Sequence, residues 1–275
     1  MTKKIIFFGN GPLADYALET LKKNGCEIIF HARERADLEE VKRLKSADKS
    51  GELHGILASF GVIIKKDVLD LFEPEGILNI HPSLLPKYRG PSPIETAILN
   101  GDEELGVSIM KLVAAMDAGP IYHQKSFPRD DFATKDDVYR ITSTYAAEWL
   151  AKHLSNEPLL ETTPPVLQDD HLATYTEKFD KSMSPLDPKH KNATELANQI
   201  CAFAGFPKSK YEFYGLDCIV ISAHAATSEE AKNCTDDKRT LYIQCYDNSI
   251  LIIDQIQPAG RKIMDAKSFL NGYAK

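Results

Sequence analysis

The chain has 275 residues, of which 43% are hydrophobic and 27% charged. This mixture is typical of globular proteins and excludes disordered and fibrous classes, while the length predicts one large or two ordinary domains. The 33 basic and 40 acidic residues give a formal net charge of −7. That charge argues against a wholly basic nucleic-acid-binding protein and leaves only a local basic surface possible.

The start of the chain and the cysteines indicate the compartment. The first apolar run, residues 5–8, ends at a glycine and is too short for a signal peptide or a membrane span. The five cysteines form no CxxC pair and their number is odd, which favours reduced thiols over a disulfide framework or a zinc site. We therefore expect a cytoplasmic protein that does not bind a membrane. We also expect it to be a monomer.

Strands and helices alternate over the first 80 residues. The predicted elements are a strand at 4–8, a glycine turn at 9–12, a helix at 13–21, and then a strand at 26–30, a helix at 37–46, a strand at 55–59, a helix at 62–71 and a strand at 76–80. This alternation predicts βαβ units and an α/β, Rossmann-like, mostly parallel sheet. Ligands of such sheets bind beyond the carboxyl ends of the strands, so chemistry is expected just after residue 80.

The rest of the chain predicts the end of this domain and a second one. A helix at 94–100, strands at 107–113 and 120–127 and a helix at 135–154 precede a proline-containing linker at 156–191, a helix at 193–203 and strands at 211–214, 217–223, 241–246 and 249–257. The strands of this last part predict a small OB-like antiparallel β-barrel. We expect a catalytic domain at 1–183, with the linker from about 156, and a barrel domain at 184–275. From Met183 onward the 11 basic and 11 acidic residues balance, so the acidic surplus lies in the first domain.

A proline-rich loop follows the fourth predicted strand and holds the densest cluster of chemistry-bearing residues. Asn79 and His81 are two apart in an extended strand and therefore point to the same side. An amide and an imidazole projecting together could donate hydrogen bonds to a developing oxyanion. The alternative is a histidine that only caps a turn, which is the commoner role for a histidine considered alone.

Two other motifs are less specific on their own. Asp117 precedes Ala-Gly-Pro between two predicted strands, where a carboxylate is commonly a turn former and less often a catalytic group. The Gly9-Asn10-Gly11 turn resembles a dinucleotide-binding loop. Such a loop needs an acidic residue at the end of the second strand to bind the ribose, and no acidic residue ends a clear second strand before Arg33 and Glu34. The histidines make no HExxH or HxxxH pair, so no metal site is predicted.

Three linked segments carry a resemblance to a known family. NIHPSLLPKYRGPSPI from Asn79, GVSIM from Gly106 and MDAGPIY from Met116 resemble the formyltransferases that use 10-formyltetrahydrofolate. Near the end of the chain, QPAGRK and FLNG are similar to the C-terminal domain of the methionyl-tRNA formyltransferases, and residues 173–175 with Lys178 fit the stretch before that domain. The resemblance covers essentially the whole chain. It implies an enzyme of translation initiation that formylates methionyl-initiator tRNA, with 10-formyltetrahydrofolate as co-substrate and no metal.

The resemblance also implies roles for individual residues. Asn79 would bind the formyl oxygen, protonated His81 would stabilise the tetrahedral oxyanion, and Asp117 would keep His81 charged and relay the proton of the amine. The residues implied to bind the folate are Ser83, Leu84, Leu85, Pro86, Arg89 and Gly90. The basic residues expected to contact tRNA are Lys178, Lys208, Lys210, Arg261 and Lys262, with Lys189 and Lys191 as further candidates.

Two departures from the family keep the acceptor open. Methionyl-tRNA formyltransferases usually carry a long basic insertion where only about two dozen residues separate Phe30 from Gly55. The proline loop also resembles formyltransferases that act on sugar amines and on glycinamide ribonucleotide. The alternatives are therefore an N-formyltransferase for a sugar amine or another small molecule and, from a different class, a non-catalytic RNA-binding or dinucleotide-binding module.

Overall fold

The computed structural model describes residues 3–129, 134–154, 164–236 and 240–274. These residues form two compact units. The N-terminal unit comprises the described residues within 1–94, 103–131 and 136–177, and the C-terminal unit those within 95–102, 132–135 and 178–275. Part of the predicted linker, residues 156–163, lies outside the described residues.

The N-terminal unit contains a six-stranded sheet. Its strands are β1 (Lys4–Gly9), β2 (Glu27–Ala32), β3 (Leu53–Ala58), β4 (Ile77–His81), β5 (Glu104–Lys111) and β6 (Ile121–Pro128). The spatial order is β2-β1-β3-β4-β5-β6, with the first four strands parallel and β5 antiparallel to both of its neighbours. This confirms the predicted α/β class and the mostly parallel, Rossmann-like sheet.

The helices that pack against this sheet are α1 (Pro12–Lys23), α2 (Leu38–Ala47), α3 (Lys66–Leu69) and α5 (Lys135–His153). Helix α4 (Pro93–Leu99) begins at the end of one segment of this unit, and its residues from Glu95 onward belong to the C-terminal unit. The predicted helix at 62–71 was wrong over its first four residues, because Gly61 has a φ of +68° and Lys65 is extended, so that α3 begins at Lys66. It continues as a 3-10 turn over Asp70–Phe72.

The central strand β1 is buried on both faces, which explains its unbroken apolar sequence. Ile5 and Phe7 pack into a core formed with α1 and α5, whereas Ile6 and Phe8 pack into a second core formed with α2 and α3. Successive strand residues point to opposite faces, so one strand supplies both cores. At its end, a Cβ on Gly9 would lie 2.1 Å from the Ala58 carbonyl oxygen, so the close approach of β1 to β3 requires glycine there.

The C-terminal unit is built on an antiparallel sheet. Its elements are α6 (Ala193–Ala202), β7 (Ser209–Phe213), β8 (Leu216–Ala225), α7 (Ser228–Asp236), β9 (Tyr242–Gln244), β10 (Ile250–Pro258), β11 (Met264–Asp265) and α8 (Ala266–Tyr273). The strand path is β11-β10-β8-β7, with β9 also paired to β10. Register shifts along β10 bend the sheet, so the predicted small antiparallel barrel is confirmed in the form of a curled half-barrel.

Two helices of this unit escaped prediction from the sequence. Helix α7 is preceded by a capping pair in which the Thr227 amide donates to Glu230 Oε2 at 2.8 Å. Helix α8 begins after Asp265, whose side chain accepts from the Ser268 amide, and buries Phe269 and Leu270. Each is under ten residues long, too short for a clear helical period. None of the helices described is long and apolar enough to cross a bilayer.

Candidate active site

Strand β4 places two of the predicted catalytic residues. Asn79 and His81 are each 5% exposed, and β4 lies between β3 and β5 in the sheet. Asn79 pairs with Leu57 on one side and Met110 on the other, while His81 ends the strand opposite Ser108. The amide and the imidazole are therefore held by a central strand at its carboxyl end, where parallel sheets bind ligands.

The hydrogen bonds of His81 define its orientation. Its Nε2 lies 2.9 Å from the Tyr88 carbonyl oxygen, and its Nδ1 lies 3.7 Å from Asp117 Oδ2. A carbonyl oxygen can only accept, so we assign a proton to Nε2. Nδ1 is consequently the ring nitrogen that faces the carboxylate, and it is the atom at which a proton would be taken up or delivered.

Asp117 comes from the turn between β5 and β6 and has a left-handed φ of +48°. Its Oδ2 accepts a hydrogen bond of 2.8 Å from the Gly90 amide. The turn fits tightly against the end of β5, since a Cβ on Gly119 would lie 1.8 Å from the Lys111 carbonyl oxygen. The structure thus brings together Asn79, His81 and Asp117, the three residues predicted to be catalytic, in one part of the N-terminal unit.

Side chains from β5 and β6 hold the backbone of the proline loop, residues 82–93. The Ser108 hydroxyl donates to the Ser83 carbonyl at 2.6 Å and accepts from the Leu85 amide at 3.1 Å. Gln124 Nε2 donates to the Leu85 carbonyl at 2.8 Å. These bonds satisfy polar backbone groups that would otherwise be buried without partners, and they fix the loop relative to His81.

The residues predicted to bind folate all lie in this loop but differ in exposure. Ser83, Leu85 and Arg89 are buried, whereas Leu84, Pro86 and Gly90 are partly exposed. Contact with folate stays a prediction for all six.

Arg89 is bound by a segment far along the chain, residues 164–177, which we call the strap. Its guanidinium is 2% exposed and donates to Gln168 Oε1 at 3.0 and 2.8 Å, to Asp170 Oδ1 at 2.8 Å and to the Tyr175 hydroxyl at 3.3 Å. Burial opposes the charge, but the hydrogen bonds to Asp170 and Tyr175 outweigh it and raise the pKa of Arg89 above its usual value. The guanidinium therefore stays charged and is directed at the strap.

The strap also binds the backbone of the proline loop and of β6. The Arg89 amide donates to the Thr174 carbonyl and the Thr176 amide donates to the Arg89 carbonyl, each at 2.8 Å. Val166 and Ile121 exchange two backbone hydrogen bonds of 2.8 Å. Part of the stretch predicted to be an irregular linker is therefore attached to the proline loop and to β6 by specific hydrogen bonds.

The predicted tRNA-contacting residues belong to the C-terminal unit. All five are exposed, namely Lys178, Lys208, Lys210, Arg261 and Lys262. Lys189 is also exposed, and Lys191 is partly buried and donates to Gln199 Oε1 at 2.7 Å. Among the residues that the structure describes, no group of three or more His, Cys, Asp or Glu side chains is placed to hold a metal ion.

Comparison with protein families shows to which family this chain belongs. Residues 12–154 match the family described as Formyl transferase, and residues 179–274 match Formyl transferase, C-terminal domain. The chain belongs to the formyltransferase family. The resemblance predicted from the motifs is thereby confirmed, and the alternative of a non-catalytic module is excluded.

Curated relatives of this formyltransferase align with most of its length. The methionyl-tRNA formyltransferase of Borrelia hermsii is 36% identical over 224 residues, which are 79% of this chain and 71% of the relative. That of Granulibacter bethesdensis is 34% identical over 256 residues, or 90% of this chain and 76% of the relative. Alignments of this length include residues of both units.

Solved structures share the fold of this formyltransferase. A variant of HypX from Aquifex aeolicus has a TM-score of 0.71 at 17% identity, over 99% of this chain and 49% of that one. WlaRD, a sugar 3N-formyl transferase, has a TM-score of 0.63 at 21% identity, over 95% and 99%. Methionyl-tRNA formyltransferase from Clostridium thermocellum also has a TM-score of 0.63, at 17% identity, over 83% and 95%.

Sequence reasoning missed two contributors to the site of this formyltransferase. Gln168 lies 51 residues after Asp117, yet its Nε2 donates to the Asp117 carbonyl at 2.8 Å. Tyr88, whose carbonyl binds His81, has a left-handed φ of +62°. Both contribute through hydrogen bonds to main-chain carbonyl groups, which every residue has, so no signal in the sequence identified them.

Proposed function

We propose that this formyltransferase transfers the formyl group of 10-formyltetrahydrofolate to the amino group of methionyl-initiator tRNA. The proposal is carried by the pairing of His81 with Asp117 beside Asn79, in a chain whose curated relatives at 33–36% identity are methionyl-tRNA formyltransferases. A tRNA acceptor implies a reaction in the cytoplasm, and we infer that the enzyme acts as a monomer.

The reaction requires attack of a neutral amine on the formyl carbon, which produces a tetrahedral oxyanion. We assign the Asn79 amide to donate a hydrogen bond to the formyl oxygen, because preorganised donors stabilise the charge that develops there. His81, protonated at Nδ1, stabilises the oxyanion and gives a proton to the departing folate nitrogen. Asp117 accepts the proton of the attacking amine, directly or through water, and balances the charge on His81.

The folate slot is assigned to the proline loop. A flat bicyclic ring system binds well in a cleft lined by backbone polar groups with some apolar surface. Leu84, Pro86 and Gly90 offer accessible surface, while Ser83 and Leu85 fix the loop through Ser108 and Gln124. The residues therefore fit a bound pterin, with Arg89 acting indirectly through the strap.

We assign recognition of the tRNA to residues 184–275 together with Lys178, and catalysis to residues 1–183. The charge-balanced C-terminal part exposes several basic side chains, whereas the N-terminal part carries the acidic surplus. Phosphate contacts need a local basic surface rather than a net positive protein. This division of charge supports the C-terminal part as the surface that approaches the tRNA.

One observation favours a second candidate, an N-formyltransferase for a sugar amine or another small amine. Only helix α2 and short connections lie between β2 and β3, and its basic residues form ion pairs within the unit: Lys42 with Glu39 and Asp67, Arg43 with Glu40, and Lys45 with Asp48. Such pairs neutralise the positive charge that would attract an acceptor stem. The C-terminal basic residues keep the tRNA as the first candidate.

The experiment offers the two acceptor classes in parallel. The protein is incubated with 10-formyltetrahydrofolate and either methionyl-initiator tRNA or a panel of nucleotide-linked amino sugars, and formylated product is quantified by mass spectrometry. We expect formylmethionyl-tRNA from the wild-type chain and a loss of activity on the order of 10²–10⁴-fold for His81→Ala. Formylation of an amino sugar without formylation of the tRNA would replace the first candidate by the second.

A further inference from the structure

Three consecutive residues of the proline loop each hold a different part of the site. The Tyr88 carbonyl accepts from His81 Nε2 at 2.9 Å, and the Gly90 amide donates to Asp117 Oδ2 at 2.8 Å. Between them, the Arg89 guanidinium binds Gln168 of the strap. The histidine, the carboxylate and the strap are thus positioned by one short stretch of backbone.

Gln168 makes a complete set of hydrogen bonds through its amide group. Oε1 accepts from two nitrogens of Arg89, at 3.0 and 2.8 Å, and Nε2 donates to the carbonyls of Asp117 and Gly119, at 2.8 and 2.7 Å. A guanidinium only donates and a carbonyl only accepts, so the orientation of the amide is determined. A primary amide offers both functions in one planar group, which a carboxylate or an apolar side chain does not.

The hydrogen bonds form a closed circuit around Asp117. The Gly90 amide binds the Asp117 carboxylate, and the Gln168 side chain binds the main chain of the turn. Gly90 follows Arg89 in the chain, and Gln168 accepts hydrogen bonds from the Arg89 guanidinium, so both are linked to the same residue. Asp117 has a left-handed φ of +48°, a conformation that a non-glycine residue keeps only when its surroundings hold it. Releasing the main chain would let the carboxylate move away from His81 Nδ1.

We propose that Gln168 is a positioning residue for formyl transfer, which sets Asp117 against His81 through the two carbonyls of the 117–119 turn while Arg89 orients the amide. This inference rests on the proposed function, because it concerns the same proton path. Gln168 contacts none of the groups assigned to the reaction, and its contact with the predicted folate residues is to the buried Arg89 guanidinium, which is directed at the strap. Its loss should therefore affect turnover and leave donor binding largely intact.

The test is Gln168→Glu, which keeps the size of the side chain and the contact with Arg89 but replaces Nε2 by a carboxylate oxygen facing two carbonyls. We expect kcat to fall roughly 10- to 100-fold and KM for 10-formyltetrahydrofolate to stay within about twofold, as for a small misplacement of a catalytic group. Leu167→Glu is the matched control: it adds the same charge one residue away, at a side chain that is 81% exposed, and should retain wild-type kcat.

The split between kcat and KM separates positioning from general damage to the fold. Because the charged Arg89 guanidinium contacts the introduced carboxylate, that group stays ionised near neutral pH and the donor toward the turn is absent throughout the assay. A kcat of Gln168→Glu equal to that of Leu167→Glu would overturn the inference, and so would a KM for 10-formyltetrahydrofolate that rises in proportion to the fall in kcat. Failure of the proposed function would be visible separately, as a wild-type chain that formylates no tRNA.

Discussion

Replacing Asp117 by asparagine isolates the charge of the carboxylate from its shape. The asparagine side chain can still accept a hydrogen bond from the Gly90 amide, so the turn should keep its conformation. The distance from Oδ2 to His81 Nδ1 is 3.7 Å, and two unit charges at that separation attract by about 4.5 kcal/mol at an effective dielectric constant of about 20. Because the proposed transfer needs an imidazolium at His81 and a base for the proton of the amine, we expect the loss of the carboxylate charge to lower kcat roughly 10³-fold, the factor to which this energy corresponds.

The assay measures initial rates of formylmethionyl-tRNA formation with saturating 10-formyltetrahydrofolate, alongside the thermal unfolding of each protein. Asp15→Asn, which removes an equal charge from an exposed position on α1, serves as the control and should have wild-type kcat. The reasoning is refuted if Asp117→Asn, folded and binding the donor normally, retains a kcat within tenfold of the wild type. A loss confined to KM for tRNA would instead identify Asp117 as an acceptor-binding residue.

Three further predictions test other parts of the structure. Gly119→Ala should destabilise the protein by about 1–3 kcal/mol in urea unfolding and lower kcat, because its Cβ would overlap the Lys111 carbonyl; unchanged stability would contradict the tight turn. Burial of Asp48 opposes its charge, but hydrogen bonds from Lys45, Ser50 and the Leu53 amide lower its pKa to about 2. The wild type should therefore be about 2 kcal/mol more stable than Asp48→Asn at pH 7. This difference should fall to roughly half by about pH 3, because a carboxylate with a lowered pKa in the folded state stabilises fully only above its pKa in the unfolded chain. A stability difference that does not depend on pH would refute this prediction. The last prediction concerns four exposed basic residues of the C-terminal unit, Lys208, Lys210, Arg261 and Lys262. Reversing their charges should raise KM for tRNA, leave the donor KM unchanged and remove roughly 0.7–0.9 from the slope of log K against log salt per lost phosphate contact. An unaltered slope would exclude this surface as the tRNA-binding one.

Local sequence determined the sheet and the identity of the candidate catalytic residues. The apolar run of β1, the glycine turn after it and the helical spacing of α1 are set by neighbouring residues, so their periodicity could be read directly. Asn79 and His81 are two residues apart on β4, and a strand necessarily places them on the same side. The motif around Asp117 was interpretable only through its resemblance to the family, because Asp-Ala-Gly-Pro alone is typical of a turn.

Tertiary structure decided how these residues are held. The bonds from Gln168 to Asp117 and from Arg89 to the strap join segments 51 and 79 residues apart, and main-chain carbonyls, present at every residue, leave no trace in a sequence. The same reason hid the role of Tyr88, which acts through its carbonyl. The chemical type of each side chain can be read from the sequence, whereas hydrogen bonds to the backbone depend on which segments the fold brings together. In this protein, those backbone hydrogen bonds hold Asp117 beside His81.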